Sequence, residues 1–100
     1  MRLLVLWNAA RGVEPGADAG WAHDQTDQLR DCDGIAALEL HPVLSAAVRH
    51  PRPCSWCLEL WLETGRSPRD VVANGTFAEF LADLRLLGMH PSVLAIEGDG

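Results

Sequence analysis

The residues best suited to proton transfer are a glutamate and a histidine on one face of a predicted strand. Glu39 and His41 are two residues apart in an alternating segment, and side chains at that spacing point to the same side of a strand. A carboxylate so close can raise the basicity of the imidazole, which makes the two a candidate acid–base pair. The alternative is an exposed pair on an edge strand without a catalytic role.

A second carboxylate lies in the segment with the clearest strand-like alternation. Glu59 and Trp61 share a face of this strand, which we expect to be central in the sheet. A carboxylate there is either paired with a cation or held in a pocket that perturbs its ionisation. If Glu59 is structural, we expect its partner to be Arg2 or Arg85. Both alternatives remain open at this point.

The three cysteines suggest metal or redox chemistry only at first sight. Cys54-Ser55-Trp56-Cys57 has redox-motif spacing, but such a pair needs its first cysteine at a helix N-terminus, and 58–63 alternates as a strand. A zinc site that recruits His50 and Cys32 is also disfavoured, because side chains 54 and 57 of a regular strand point to opposite faces. We therefore predict packed thiols, no metal and no cofactor.

Tryptophan is abundant here, and tyrosine is absent. The four tryptophans are Trp7, Trp21, Trp56 and Trp61. They could line a cleft for a flat apolar ligand, or they could be large core and interface residues.

Composition limits the classes of function. One hundred residues, 48% of them hydrophobic, indicate one globular domain, which we place at 1–97 with a short tail at 98–100. The net charge is −6, and the eight basic residues form no stripe, so we expect neither nucleic acid nor an anionic membrane as a partner. The apolar stretches are far shorter than the roughly 20 residues that span a bilayer. We expect a cytoplasmic protein.

Periodicity predicts the elements that position these residues. The predicted strands cover 2–8, 35–41, 54–63 and 92–97, the second of which could continue through 43–49. A helix is predicted at 17–32, with Asp18 as its N-cap or first-turn acid. A short helix with Ser67 as its N-cap is predicted after the third strand, and a longer one from the capping box Thr76–Glu79 to Gly88. This order predicts an α+β fold: a ferredoxin-like βαββαβ unit whose four-stranded antiparallel sheet has its helices on one face.

The same periodicity assigns side chains to faces. Inward stripes are predicted for the first helix at Trp21, Gln25, Gln28 and Leu29, and for the last at Phe77, Phe80, Leu81, Leu84 and Leu87. In the second strand one face carries Ala36, Leu38 and Leu40, and the other carries Ile35, Ala37, Glu39 and His41. In the third strand one face carries Trp56, Leu58, Leu60 and Leu62, and the other carries Cys57, Glu59, Trp61 and Glu63.

Both faces of the first and last strands are apolar. Leu3, Val5 and Trp7 alternate with Leu4 and Leu6, and such a run is typical of a strand buried on both sides. The helices can cover only one face, so a second copy of the chain is the expected cover for the other. Burying about 700 Å² of apolar area per subunit would contribute on the order of 15 kcal/mol before association costs. We therefore predict a homodimer.

Three segments resemble a known superfamily. They are Trp21 thirteen residues before Gly34-Ile35, the acidic-aromatic strand 59–63, and the helix end 81–84 followed by Gly88 and 91–94. In these the chain resembles the dimeric α+β barrel superfamily, and most of all its EthD-like branch. The resemblance implies a homodimer whose two sheets close into a barrel. Members include cofactor-free oxygenases, polyketide cyclases, lactone isomerases, haem-binding enzymes and proteins of unknown role.

One position departs from the EthD-like pattern. That branch commonly has a histidine one helical turn after the first-helix tryptophan, and here Gln25 stands there. The nearby His23 falls roughly on the opposite side of the helix. The departure puts a direct transfer of the branch's catalytic machinery in doubt.

Two hypotheses of function follow. The first is an enzyme acting on a small hydrophobic or aromatic molecule in a pocket of roughly 300 Å³ or more between helices and sheet. Its predicted catalytic residues are Gln25, His41 and Glu59, and its predicted ligand-binding walls are Trp21 and Trp61. The alternative is a non-catalytic dimer that binds a ligand or stabilises a partner, and the fold alone does not decide between them.

Overall fold

The strands and helices follow the predicted order in the part of the chain that the structure describes. The computed structural model describes residues 1–8, 19–43 and 55–97. The strands are β1 (Arg2–Trp7), β2 (Ile35–Pro42), β3 (Trp56–Leu62) and β4 (Ser92–Ile96). The helices are α1 (Ala19–Asp27), which a 3₁₀ turn extends (Gln28–Asp31), α2 (Pro68–Ala73) and α3 (Gly75–Leu86). Within these ranges no helix is both long and apolar enough to cross a membrane.

The four strands form one antiparallel sheet in the order β2-β3-β1-β4. This confirms the predicted α+β, βαββαβ arrangement and the central position of β3. β2 and β4 are the edge strands. Pro42, which lacks an N–H to donate, lies at the end of edge strand β2, where its missing donor costs least.

The core lies between one face of this sheet and the helices. Leu3, Val5 and Trp7 of β1 are buried there, as are Leu58 and Leu60 of β3. The helices contribute Ala22, Leu29, Val71, Phe77, Phe80, Leu81 and Leu84 to the same cluster. Because the described helices all pack on this side, their apolar stripes leave the opposite side of the sheet uncovered.

We call that opposite side the open face. It consists of Arg2, Leu4 and Leu6 of β1, Ala37, Glu39 and His41 of β2, Cys57, Glu59 and Trp61 of β3, and Ser92, Leu94 and Ile96 of β4. In the single chain Leu94 is 49% exposed, and Leu4, Leu6 and Trp61 are only partly buried.

A β-bulge at the start of β2 corrects one predicted face. Ile35 was expected to share a face with Glu39 and His41, but it is buried on the helix side. The pairing register shifts between Ile35 and Ala37, and such an extra residue turns the following side chains over. The bulge lets Ile35 join the core while Glu39 and His41 point to the open face.

The inward stripe predicted for the first helix is only partly correct. Leu29 is buried and Gln25 is partly buried, but Gln28 is exposed, and Ala22 and Thr26 are buried instead. The helix tightens to a 3₁₀ turn at Gln28, which has 3.0 residues per turn and so shifts the inward positions. The buried Thr26 hydroxyl donates to the His23 carbonyl at 3.0 Å.

The predicted capping box of the last helix is wrong. The N-cap of α3 is Asn74, two residues before the predicted Thr76, and its side-chain oxygen accepts from the Thr76 N–H at 3.0 Å, so the helix begins at Gly75. The predicted Ser67 cap of α2 is confirmed by a 3.2 Å bond from the Asp70 N–H. Leu87, predicted in the core stripe, is the C-cap and is 47% exposed.

Several predictions fall outside the described residues. They are the start of the first helix with Asp18, the continuation of the second strand beyond Val43, Cys54, and the tail 98–100.

Gly34 should not tolerate a side chain, because its backbone, directly before β2, has a conformation in the left-handed region. Its φ is +93°, and an added Cβ would lie 3.1 Å from Val71 Cγ2. We expect Gly34→Ala to lower the free energy of unfolding by about 1–3 kcal/mol. Gly20→Ala is the matched control, since a Cβ there meets nothing within 4 Å on helix α1 and should be neutral or slightly stabilising. Urea unfolding of both variants checks the contrast, and equal stabilities would contradict it.

Candidate functional site

Two neighbouring strands bring four polar side chains together on the open face. In the β2–β3 register Glu39 is opposite Glu59, and His41 is opposite Cys57. Directly opposed residues of an antiparallel pair have Cβ atoms about 4.5–5.5 Å apart. The side chains of Glu39, His41, Cys57 and Glu59 therefore form a compact square, because Glu39-Leu40-His41 runs antiparallel to Cys57-Leu58-Glu59.

Glu59 lies between a cation and an imidazole. Arg2 Nη1 donates to Glu59 Oε2 at 2.6 Å, and His41 Nε2 lies 3.3 Å from Glu59 Oε1. Glu39 Oε2 is farther from the same His41 nitrogen, at 3.8 Å. The expectation of Arg2 as the partner of Glu59 is confirmed, whereas Arg85 lies on α3.

The exposure of these side chains falls from the sheet edge towards its centre. Glu39 is 61% exposed and His41 43%, whereas Arg2 is 25% and Glu59 17% exposed. The partly desolvated charge of Glu59 is offset by Arg2, and charged hydrogen bonds of this kind fix geometry. The arrangement holds the His41 ring through Nε2, at the edge of the open face.

The five predicted site residues do not line one cavity. His41 and Glu59 meet, and Trp61 shares their face two residues from Glu59. Trp21 and Gln25 lie on α1, and Trp21 packs against the core on the other side of the sheet. Because alternate side chains of a strand point to opposite faces, a pocket between helices and sheet cannot include Glu59, which follows the core residue Leu58.

Glu39 was recognised as a neighbour of His41 but not as a neighbour of Glu59. The missing information was the register of β2 on β3, which depends on the bulge at Ile35–Ala37. The reversed Glu-x-His and Cys-x-Glu spacings in consecutive strands are the sequence signal that could have revealed the cluster.

The cysteines do not form a redox centre within the described residues. Cys32 is buried, and its thiol lies 3.9 Å from the Asp33 carbonyl oxygen. Burial raises the pKa of the Cys32 thiol, as does the nearby Asp33 charge, while a backbone hydrogen bond from Phe77 lowers it. Cys32 is thus a protonated core thiol. Cys57 is the second residue of strand β3, which lacks the helix dipole that would activate a thiol.

A small surface pocket lies beside α2, and none of its lining residues belongs to this cluster. Its volume is about 170 Å³, and Asp33, Arg66, Asp70, Val71, Ala73 and Asn74 line it. Arg66 and Asp33 form an ion pair across it at 3.0 Å. The pocket is smaller than the roughly 300 Å³ expected for a ligand cavity, and it includes none of the predicted site residues.

Comparisons with known proteins give no match by sequence and several by structure. No protein-family model matches the chain, and a search of curated proteins finds no match. The Arabidopsis thaliana protein At3g17210 superposes with a TM-score of 0.75 at 13% identity, over 99% of this chain and 95% of that one. An EthD family protein from Bacillus halodurans superposes with a TM-score of 0.66 at 9% identity, over 96% and 97%.

A third structural match comes from a characterised enzyme. SnoaB, a cofactor-independent oxygenase from Streptomyces nogalater, superposes with a TM-score of 0.63 at 11% identity, over 99% of this chain and 92% of that one. Identities this low show a shared fold and nothing finer. The shared fold is the α+β, βαββαβ arrangement, and an EthD family protein is among the matched structures, in agreement with the fold that the sequence resemblance implied.

Proposed function

We propose that this chain forms a homodimer through its open face and acts as a small enzyme on a hydrophobic, cyclic or aromatic molecule. In this proposal the His41 imidazole transfers the proton, and Glu59 orients that imidazole. The observation that carries the proposal is the hydrogen-bonded series Arg2–Glu59–His41 on the open face, whose other members are mostly non-polar.

The homodimer is supported by the apolar character of the open face. Its non-polar members are Leu4, Leu6, Ala37, Trp61, Leu94 and Ile96, which come from all four strands. Contiguous apolar patches of more than a few hundred square ångströms are rare on monomers. Arg2 Nε, on the same face, is buried and lacks a hydrogen-bond partner within the described residues. An acceptor from outside the chain would satisfy that donor.

The role of His41 is supported by the way its ring is held. A general base must keep one geometry to accept a proton efficiently, and a carboxylate that holds the imidazole supplies it. Glu59 is itself fixed by Arg2 at 2.6 Å, so the histidine is positioned through an ionic contact followed by a hydrogen bond. Since β2 is an edge strand, a substrate can reach His41 from the rim of the sheet.

The proposed substrate class follows from the apolar side chains of the open face. Trp61, which is opposite Ala37 in the β2–β3 register and two residues from Glu59, offers a flat apolar surface on this face, and aromatic rings stack on such surfaces. We propose that His41 removes a proton from an acidic hydroxyl or C–H group of such a molecule. Gln25 and Trp21 remain predicted contacts for a ligand on the helix side.

Replacing His41 should remove the activity without unfolding the protein. A thermal-shift screen of aromatic and cyclic compounds would first identify a stabilising ligand, and its turnover would then be measured. We expect His41→Ala to lower turnover by about 10²–10⁴-fold, the usual contribution of a general base. His90→Asn is the control, because His90 lies outside the cluster at a positive φ of 48° that asparagine tolerates.

The result also decides between the enzyme and the non-catalytic dimer. Turnover that is unchanged in His41→Ala would remove this residue from the site. A ligand that stabilises the wild-type protein but is never converted would support the alternative, a binding dimer.

A further inference from the structure

We propose that Glu39, His41 and Glu59 form a binding site for a divalent transition-metal ion, of which Zn²⁺ is the best representative. Sequence reasoning predicted no metal, because it considered the cysteines and not the register of β2 on β3. The inference goes beyond the proposed function and does not require it.

The positions of the potential ligand atoms match what a zinc ion needs. One atom from each of the three residues lies within 4.8 Å of the other two. Zinc bonds of about 2.0–2.2 Å in tetrahedral geometry place neighbouring ligand atoms about 3.4 Å apart. His41 Nε2 is already 3.3 Å from Glu59 Oε1 and 3.8 Å from Glu39 Oε2. The exposed Glu39 side chain can close the remaining gap by a change of rotamer.

The charges of the cluster favour a cation. Glu39 and Glu59 are directly opposed across β2 and β3, and like charges in that position destabilise a sheet. Arg2 offsets the charge of Glu59 only. Within 1–8, 19–43 and 55–97, the one basic side chain that pairs with Glu39 is His41. With His41 neutral, Arg2, Glu39 and Glu59 together carry one uncompensated negative charge. A metal ion between the two carboxylates would offset it.

The contacts of Glu59 resemble those around a metal-ligating carboxylate. Arg2 binds Oε2 and leaves Oε1 facing His41. Outer hydrogen bonds of this kind orient a ligand and raise metal affinity. Arg2 would therefore be a positioning residue for the metal.

The donor set selects the class of metal. One imidazole and two carboxylates suit zinc and related ions, whereas Ca²⁺ requires six to eight oxygen ligands and Mg²⁺ a near-octahedral oxygen shell. Three protein ligands leave a fourth coordination position open to water, which is typical of catalytic rather than structural zinc sites. A metal ion on Nε2 leaves the neutral imidazole with its proton on Nδ1, so neither ring nitrogen could then accept a proton. Metal binding and the proposed proton transfer would therefore compete.

Zinc affinity can be measured directly on the full chain. We would titrate the metal-free protein with Zn²⁺ in competition with a chromophoric chelator, with no substrate present. We expect one Zn²⁺ per chain, and affinity reduced by at least about tenfold in both His41→Ala and Glu39→Gln. Glu39 is mostly exposed, so its variant should fold, and circular dichroism would verify this.

Matched controls separate this site from others. His90→Asn and Glu63→Gln replace exposed residues outside the cluster and should leave the zinc affinity unchanged. The proposal is overturned if Zn²⁺ does not bind saturably, or if His41→Ala and Glu39→Gln bind it as tightly as the wild type. Loss of binding in His50→Ala, with the cluster variants unaffected, would likewise overturn it. Because affinity is measured without substrate, failure here leaves the turnover test of His41 standing, and the converse also holds.

Discussion

Leu94→Lys is expected to convert the protein from a dimer to a monomer at micromolar concentration. Leu94 lies on the open face of edge strand β4 and is 49% exposed in the single chain, so a lysine there costs the folded protomer little. In a dimer joined through that face the same ammonium would be buried without a partner, at a cost of several kcal/mol. Dimer affinity should fall by more than about 100-fold. Sedimentation would then report 10.9 kDa instead of twice that mass.

Leu86→Lys is the matched control for the dimer interface. Leu86 is 84% exposed at the end of α3, on the helix side of the sheet. The variant makes the same chemical change outside the proposed interface, so it should remain a dimer. Equal masses for the two variants would mean that the open face is not the contact surface.

Leu84→Ala is expected to lower the free energy of unfolding by about 3 kcal/mol. Leu84 is fully buried in the cluster between α3 and the sheet, and truncation would leave a cavity that neighbouring side chains fill only partly. For a domain of this size the melting temperature should fall by more than about 10 °C. Variants would be compared at one protein concentration, since the proposed dimerisation would add to apparent stability.

Leu86, on the same helix as Leu84, supplies the control for this prediction as well. Leu86→Ala removes the same atoms from an 84% exposed side chain two residues away. It should change stability by less than about 0.5 kcal/mol, because alanine is a good helix former and no cavity results. Similar losses for both variants would contradict the described orientation of α3.

Much of the fold could be predicted because its strongest patterns are local. The alternation of 56–62 fixes which side of β3 faces the helices, and the stripe of Phe77, Phe80, Leu81 and Leu84 fixes the inward side of α3. The inward side of α1 was harder to predict. Its stripe is weak, and the 3₁₀ turn at Gln28 changes the period that the prediction assumed.

The candidate site was less predictable, because it depends on pairing between segments. Glu39 and His41 could be placed on one face from their spacing alone. That Glu39 is opposite Glu59 follows from a register that a single-residue bulge near Ile35 sets, and composition does not reveal such a bulge. For a related reason the structure does not bring Trp21 into one pocket with His41 and Glu59, since the polar residues of β2 and β3 point away from α1.

The pairing of the first and last strands has a consequence for how the chain folds. Residues 2–6 of β1 hydrogen-bond along residues 92–96 of β4, so one side of a central strand is completed by the most distant segment of the described chain. Closing so long a loop has a high entropic cost, and contacts between residues so far apart in sequence are associated with low folding rates. During synthesis at about 5–20 residues per second, β1 would wait several seconds for its neighbour to leave the ribosome. Until then the backbone groups on that side of β1 have no strand to pair with, and an unpaired strand edge is a site at which chains can associate.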